Sequence, residues 1–171
     1  MSLLASLRTS PLQLSACLAA LALGGALLSQ YGFGLHPCDL CIYQRYPYGA
    51  ILALSLFALA SRRIMPKIST YAALFISLLF LLDGGIAAYH VGVEQGWISG
   101  PTACSGATTG VNIEAVRTQL MQAALVSCKD AGFVWLGLSM AAWNLLYALA
   151  SVGLVIYTWK RQPKDRSYAT R

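Results

Sequence analysis

The stretch FVWLGLSMAAWNLLYALASVGLVIYTW, residues 133–159, contains no Lys, Arg, Asp or Glu. A bilayer's hydrocarbon core of about 30 Å is crossed by a helix of about 20 apolar residues, so this run is long enough to span one. Three further runs are nearly as free of charge. Residues 12–31 follow Arg8, and the next charge is not met until Asp39. Residues 43–61 hold Arg45 near their start and close before Arg62 and Arg63, and residues 68–90 carry a single acid, Asp83. Each run is expected to be helical, because lipid offers no water to satisfy backbone N–H and C=O groups. Composition agrees: 57% of the 171 residues are hydrophobic and 11% charged, outside the usual balance of soluble domains. The expected fold is an all-α membrane protein, one domain over residues 1–171, forming a four-helix transmembrane bundle with outer loops at about 32–42 and 91–132. A cleaved signal peptide competes for the N-terminus. That first run is too long for one and no small-residue cleavage site closes it.

Four crossings return the chain to its starting side. The N-terminus, the 61–67 turn and the C-terminal tail then share one face, which holds Arg8, Arg62, Arg63, Lys67, Lys160, Arg161, Lys164, Arg166 and Arg171. These are nine of the twelve basic residues, and the positive-inside rule makes that face cytoplasmic. The net charge of +6 is therefore read as topological, with no nucleic-acid partner expected. Cys38, Cys41, Cys104 and Cys128 all fall on the opposite, outer side, where disulfides form and persist. Cys17, inside the first run, is read as a small buried hydrophobe without a role.

The first outer segment places Cys38 and Cys41 in a Cys-x-x-Cys pair where the chain re-enters the membrane. A helix N-terminus and a nearby cation favour a thiolate. Arg45, four residues after Cys41, lies one turn away if the helix begins early, which makes Cys41 the expected stabilised thiolate. Other uses of the pair fit less well. Haem attachment needs His after the second Cys, where Ile42 stands. Zinc would need two more ligands from His36, His90, Cys104 or Cys128, and Cys104 and Cys128 lack paired spacing, so no metal is expected. A structural bridge would close too small a loop to constrain much.

In the second outer segment Gly100, Pro101, Gly106 and Gly110 mark turns. Ile113, Val116, Leu120 and Ala124 then recur at helical spacing opposite Glu114, Arg117, Thr118 and Gln122. Two readings stand for this stretch: a short amphipathic helix on the membrane surface, or an ordinary helix packed on the bundle. Asp83 is costly in hydrocarbon, so it is either functional or hydrogen-bonded in the bundle interior. His90, closing the third run at the outer edge, is either a solvated anchor or part of the rim shared with Cys41 and Arg45. The four tryptophans read as interfacial or core aromatics.

Three groups of residues resemble one family. They are Pro37-Cys38-x-x-Cys41-Ile42-Tyr43-x-Arg45; Tyr89-His90-Val91-Gly92-Val93-Glu94 leading through Gly100-Pro101 to Cys104; and Cys128 followed by Leu136-Gly137-Leu138-Ser139-Met140 and Trp143-Asn144. The chain is similar to the disulfide bond formation protein B family of bacterial quinone reductases over nearly its whole length. Asp130-Ala131-Gly132-Phe133 departs from the proline- and tryptophan-containing version common in that family, and Asp83 has no assigned counterpart.

The resemblance implies a four-helix bundle in the bacterial inner membrane with both termini cytoplasmic and the four cysteines periplasmic. It further implies that Cys38 and Cys41 couple to a quinone, ubiquinone or menaquinone, while Cys104 and Cys128 face a soluble thioredoxin-like partner of the DsbA type. Arg45 and His90 match positions associated with quinone binding. Two alternatives remain beside this reading. One is a paralogue dedicated to a single client; the other, of a different class, is a structural or receptor protein with four crossings and inert disulfides.

Overall fold

The computed structural model describes residues 10–62, 64, 66–100, 127–129 and 133–161. Within them four long helices are present: α1 (Pro11–Tyr31), α2 (Asp39–Ser61), α3 (Pro66–Glu94) and α4 (Met140–Lys160). Local sequence explains where three of them begin. Ser10 caps α1 by accepting from the Gln13 amide at 3.2 Å, and the Gln13 side chain accepts from the Ser10 amide at 3.0 Å. This reciprocal box, with Pro11 in the first turn, satisfies donors that a helix start leaves open. Cys38 caps α2 in extended conformation, its sulfur accepting from the Cys41 amide at 3.4 Å. Ser139 does the same for α4 through the Ala142 amide at 3.2 Å.

The charge-free run 133–159 is not helical throughout. Val134–Trp135 (β1) and Leu138–Ser139 (β2) pair antiparallel as a small hairpin, with Val134 opposite Ser139. Its two turn residues, Leu136 and Gly137, have φ of 52° and 77°, the left-handed pair of a type I′ turn. The helix expected over 133–159 therefore starts at Met140, because a backbone with two successive positive φ angles cannot continue an α-helix. At the other end, α3 runs past the expected boundary at residue 90 and carries Glu94 on its last turn.

Packing is inverted relative to a water-soluble bundle. Small residues fill many of the helix contacts: Ala19, Ala58, Ala87 and Ala148 are wholly buried, as are Ser15 and Ser55, beside a few large side chains such as Ile51, Ile76 and Phe80. Large ones face outward, including Leu21, Leu28, Phe57, Leu78 and Leu82, each more than half exposed. Small residues at interfaces let helix backbones approach closely in lipid, which in turn solvates the large side chains. Three helical segments, Pro11–Tyr31, Tyr71–Glu94 and Met140–Lys160, are long and apolar enough to cross a membrane. The protein is thus a mostly helical membrane protein. The expected crossing over 43–61 lies on α2, whose N-terminal half is diluted by Gln44, Arg45 and Pro47.

Two buried clusters mark the two ends. Leu12, Ala58, Ala72 and Val155 lie at one end of the larger one, where the start of α1, the end of α2, the start of α3 and the end of α4 meet, and the cluster continues through the bundle to Tyr48 and Phe80. Cys38, Leu40, Val93 and Cys128 form the other, with Cys41 and Tyr89 packed against it. Near the first end, Arg62 and Arg161 are exposed, and the Arg161 guanidinium lies 4.7 Å from the Tyr157 ring centroid. The expected surface helix around 113–124, Cys104, and most of the counted basic residues lie outside the described residues.

Candidate functional site

At the second end the helix caps set the chemistry. Because Cys38 is the N-cap and Cys41 sits one turn on, their sulfurs are held 2.9 Å apart. His90, near the end of α3, brings Nε2 within 3.6 Å of the Cys38 sulfur. Its Nδ1 lies 3.4 Å from the Gln44 side-chain amide on α2, and its Nε2 lies 3.7 Å from Glu94 Oε1 one turn further along α3. Glu94 in turn accepts a hydrogen bond from the Ser139 hydroxyl. Cys38 and His90 are 4% and 3% exposed, so these interactions act with little screening by water.

This arrangement places negative charge on Cys38. The Cys41 thiol donating to it is the largest influence holding its pKa down, to about 4, and His90 and the Cys41 amide add to this against the cost of burial. The same hydrogen bond, with burial, pushes the Cys41 thiol up. The expectation of a thiolate on Cys41 beside Arg45 is thereby reversed. Arg45 donates instead to Gln30 Oε1 of α1 at 2.6 Å, and its field is the least of the influences on Cys41.

Both sulfurs open on a cavity of about 950 Å³ between α1 and α4. Its wall includes Arg45, His90, Glu94, Tyr48, Asn144 and Trp135, with a largely apolar remainder from α1 and α4. A few polar groups converging in an apolar pocket of this size match what small-molecule sites require. Deeper in, Tyr48 donates to Asn144 Oδ1 at 2.7 Å, and the Asn144 amide donates to Asp83 Oδ2 at 3.0 Å. Asp83, wholly buried, thus takes the interior hydrogen-bonded reading. At the mouth, the Trp143 indole donates to the Trp135 carbonyl, and the two rings pack with centroids 5.4 Å apart.

Cys128 is buried and disulfide-bonded, and shares the cluster of Cys38. Cys104 is not among the described residues. Cys17 departs from its expected burial: it is a free, exposed thiol on α1, where its run of apolar neighbours is all that composition revealed. Cys38, Cys41 and His90 lie within 4.8 Å of one another, close enough to hold a metal ion, although structural zinc centres use four ligands. Gln44, Glu94, Ser139 and Asn144 were not singled out as site residues by sequence. The signals were Glu94 at four residues from His90, and Asn144 as the polar interruption of a charge-free run.

A family model described as disulfide bond formation protein DsbB matches residues 8–158. The chain belongs to the DsbB family. Among relatives, a disulfide bond formation protein B of Xylella fastidiosa is 32% identical over 140 residues, covering 77% of this chain and 79% of that protein. One from Neisseria meningitidis is 26% identical over 144 residues, 82% of this chain and 88% of its own length. An uncharacterised protein of Rickettsia prowazekii is 29% identical over 143 residues, 80% and 81% of the two chains. No solved structure matches. Membership in the DsbB family makes this membrane protein a disulfide oxidoreductase and supports a role in disulfide bond formation.

Proposed function

We propose that this DsbB-family chain reoxidises a periplasmic thioredoxin-like dithiol protein of the DsbA type and passes the electron pair to a membrane quinone. The observation that carries the reading is the Cys38–Cys41 pair, buried at Cys38 and half-buried at Cys41, flanked by His90 and opening on a cavity of about 950 Å³ between α1 and α4. A lipid-soluble ring entering between helices meets the sulfurs there without crossing water. The proposal takes α2 as a fourth crossing, so that the chain sits in the inner membrane with both termini cytoplasmic and the sulfurs at the periplasmic rim.

Exchange proceeds by thiolate attack on a disulfide sulfur. The partner's thiolate attacks Cys104 of a Cys104–Cys128 disulfide and releases Cys128. Burial of Cys128 in the same cluster as Cys38 supports the next step, in which Cys128 attacks Cys38 and frees Cys41. Resolution of the mixed disulfides leaves an oxidised partner and a reduced Cys38–Cys41 pair, which gives two electrons to the quinone and closes again. Arg45 and His90 line the cavity as the cationic and imidazole groups available to quinone oxygens. A quinone suits the role on energetic grounds. A DsbA-like partner is itself oxidising at about −120 mV, and each 30 mV of uphill transfer costs about 1.4 kcal/mol.

The test is turnover by purified protein with a reduced DsbA-type partner and either ubiquinone or menaquinone, followed by quinone absorbance. Partner-dependent bleaching that disappears in Cys104→Ser is expected. Bleaching that survives the loss of Cys104 would remove the shuttle pair from the reaction.

A further inference from the structure

Two sulfurs and an imidazole meet at the end of the cavity, with one ligand atom from each of Cys38, Cys41 and His90 within 4.8 Å of the others. A tetrahedral zinc with Zn–S of about 2.3 Å and Zn–N of about 2.0–2.1 Å has S···N edges of about 3.6 Å and an S···S edge of about 3.8 Å. Cys38 Sγ and His90 Nε2, at 3.6 Å, span one such edge. The two sulfurs, at 2.9 Å, need to part by about 0.9 Å to span the other. Cys41 has room to do so, because it is half-buried and opens on the cavity.

The surroundings suit a metal as well. Gln44 lies 3.4 Å from His90 Nδ1, and its amide, turned over, accepts the Nδ1 proton and fixes the tautomer that leaves Nε2 as a ligand. The Cys41 amide donates to the Cys38 sulfur at 3.4 Å, a hydrogen bond of the kind that orients a ligating group. Charge selects the ion. Two thiolates and a neutral imidazole cancel a divalent cation, whereas a monovalent one would leave a net negative charge beside a largely apolar wall, where unpaired charge is costly. A carboxylate as fourth ligand would do the same, and Glu94 already accepts from Ser139. Three protein ligands with the fourth position open to a cavity is an arrangement that zinc adopts outside structural centres.

We propose that the reduced Cys38–Cys41 pair and His90 form a zinc site, and that zinc held there keeps the pair from closing to a disulfide. Binding forms two Zn–S bonds and one Zn–N bond and releases to solvent whatever protons the sulfurs carry; no electrons move. Closing the S–S bond removes both thiolates, so the oxidised pair has no site to offer. Occupancy therefore follows the redox state of the pair. The block on quinone reduction rests on the quinone-acceptor reading, whereas the binding does not.

The experiment uses the full chain in mild detergent with Cys17→Ala, Cys104→Ser and Cys128→Ser, which leaves Cys38 and Cys41 as the only thiols of the five cysteines. Zinc is titrated into the reduced and the oxidised form of this one protein, so the redox gate is read without touching the site, and wild type is titrated alongside. One zinc per reduced chain and none per oxidised chain is expected, with a thermal midpoint that zinc raises only in the reduced form. Cobalt(II) used in place of zinc should give thiolate-to-metal charge-transfer absorption and the strong visible bands of a tetrahedral site. Gln44→Ala should weaken zinc binding about 10- to 100-fold, and His90→Ala at least as much. Quinone reduction by the reduced pair should stop as the site fills and return when a chelator removes the metal. A reduced chain that takes up no zinc overturns the proposal, as do equal uptake by the oxidised chain, a His90→Ala chain that binds as tightly as its parent, and quinone reduction undiminished at full occupancy. If the metal-free protein does not reduce quinone at all, the acceptor reading falls, while zinc uptake by the reduced pair still decides the site.

Discussion

Two sulfurs three positions apart differ in character because only one of them is a helix cap. Cys38 receives the Cys41 amide, the Cys41 thiol and the His90 ring, whereas Cys41 is left as the donor. Reduced protein should therefore be alkylated at Cys38 at pH 5 to 6, where an ordinary thiol of pKa about 8.5 is inert. In Cys41→Ala the largest stabilising hydrogen bond to the thiolate is lost, so the Cys38 pKa rises and its alkylation profile moves to higher pH. Mass spectrometry of iodoacetamide-treated protein against pH checks both; a profile unchanged by the substitution contradicts the assignment. The pair itself was legible from its spacing, but the direction of its polarity was not. Spacing shows that two groups are neighbours, while the decisive third group, His90, comes from another helix. The hydrogen bond of Arg45 to Gln30 was hidden for the same reason, because Gln30 lies on α1.

Among the elements, the hairpin ahead of α4 is the one that composition concealed. Residues 133–139 are as apolar as the helix they precede, and the turn uses Leu136 where Asn or Asp is usual, so no polar cue marked it. A non-glycine residue in the left-handed region costs about 1–2 kcal/mol. Leu136→Gly is therefore expected to raise stability by up to about 1 kcal/mol, after glycine's greater loss of backbone freedom is offset, seen as a higher thermal midpoint in mild detergent. A lower midpoint would show that the Leu136 side chain contributes more than its backbone costs. Ser139→Ala should act in the opposite sense. It removes both the cap of α4 and the tie to Glu94, at about 1–2 kcal/mol for the cap alone.

Over the whole molecule, the four helices could be read from runs of apolar residues, because lipid imposes length and helicity directly on sequence. The cavity could not, since it forms where α1 and α4, far apart in the chain, fail to close. Across the bundle, α2, α3 and α4 are tied by Tyr48, Asp83 and Asn144. One Asp83 oxygen, Oδ1, is buried without a hydrogen-bond partner among the described residues, so the network is already incompletely satisfied. Asn144→Leu strands both neighbours and is expected to cost about 1–3 kcal/mol. In the Asp83→Leu/Asn144→Leu double variant part of that loss should return, because the carboxyl no longer needs a partner. A double-mutant cycle on detergent unfolding measures the coupling, and strict additivity would show that the two side chains do not depend on each other.

The most direct measurement is a single turnover: pre-reduced protein, without partner, mixed rapidly with quinone while quinone absorbance is followed. In a Cys104→Ser/Cys128→Ser background, which removes the shuttle pair as a second source of electrons, the Cys38–Cys41 dithiol should reduce about one quinone per protein, in keeping with a two-electron couple, and adding Cys38→Ser should abolish reduction while leaving quinone binding. Reduction that persists in Cys38→Ser would contradict the role given to this pair.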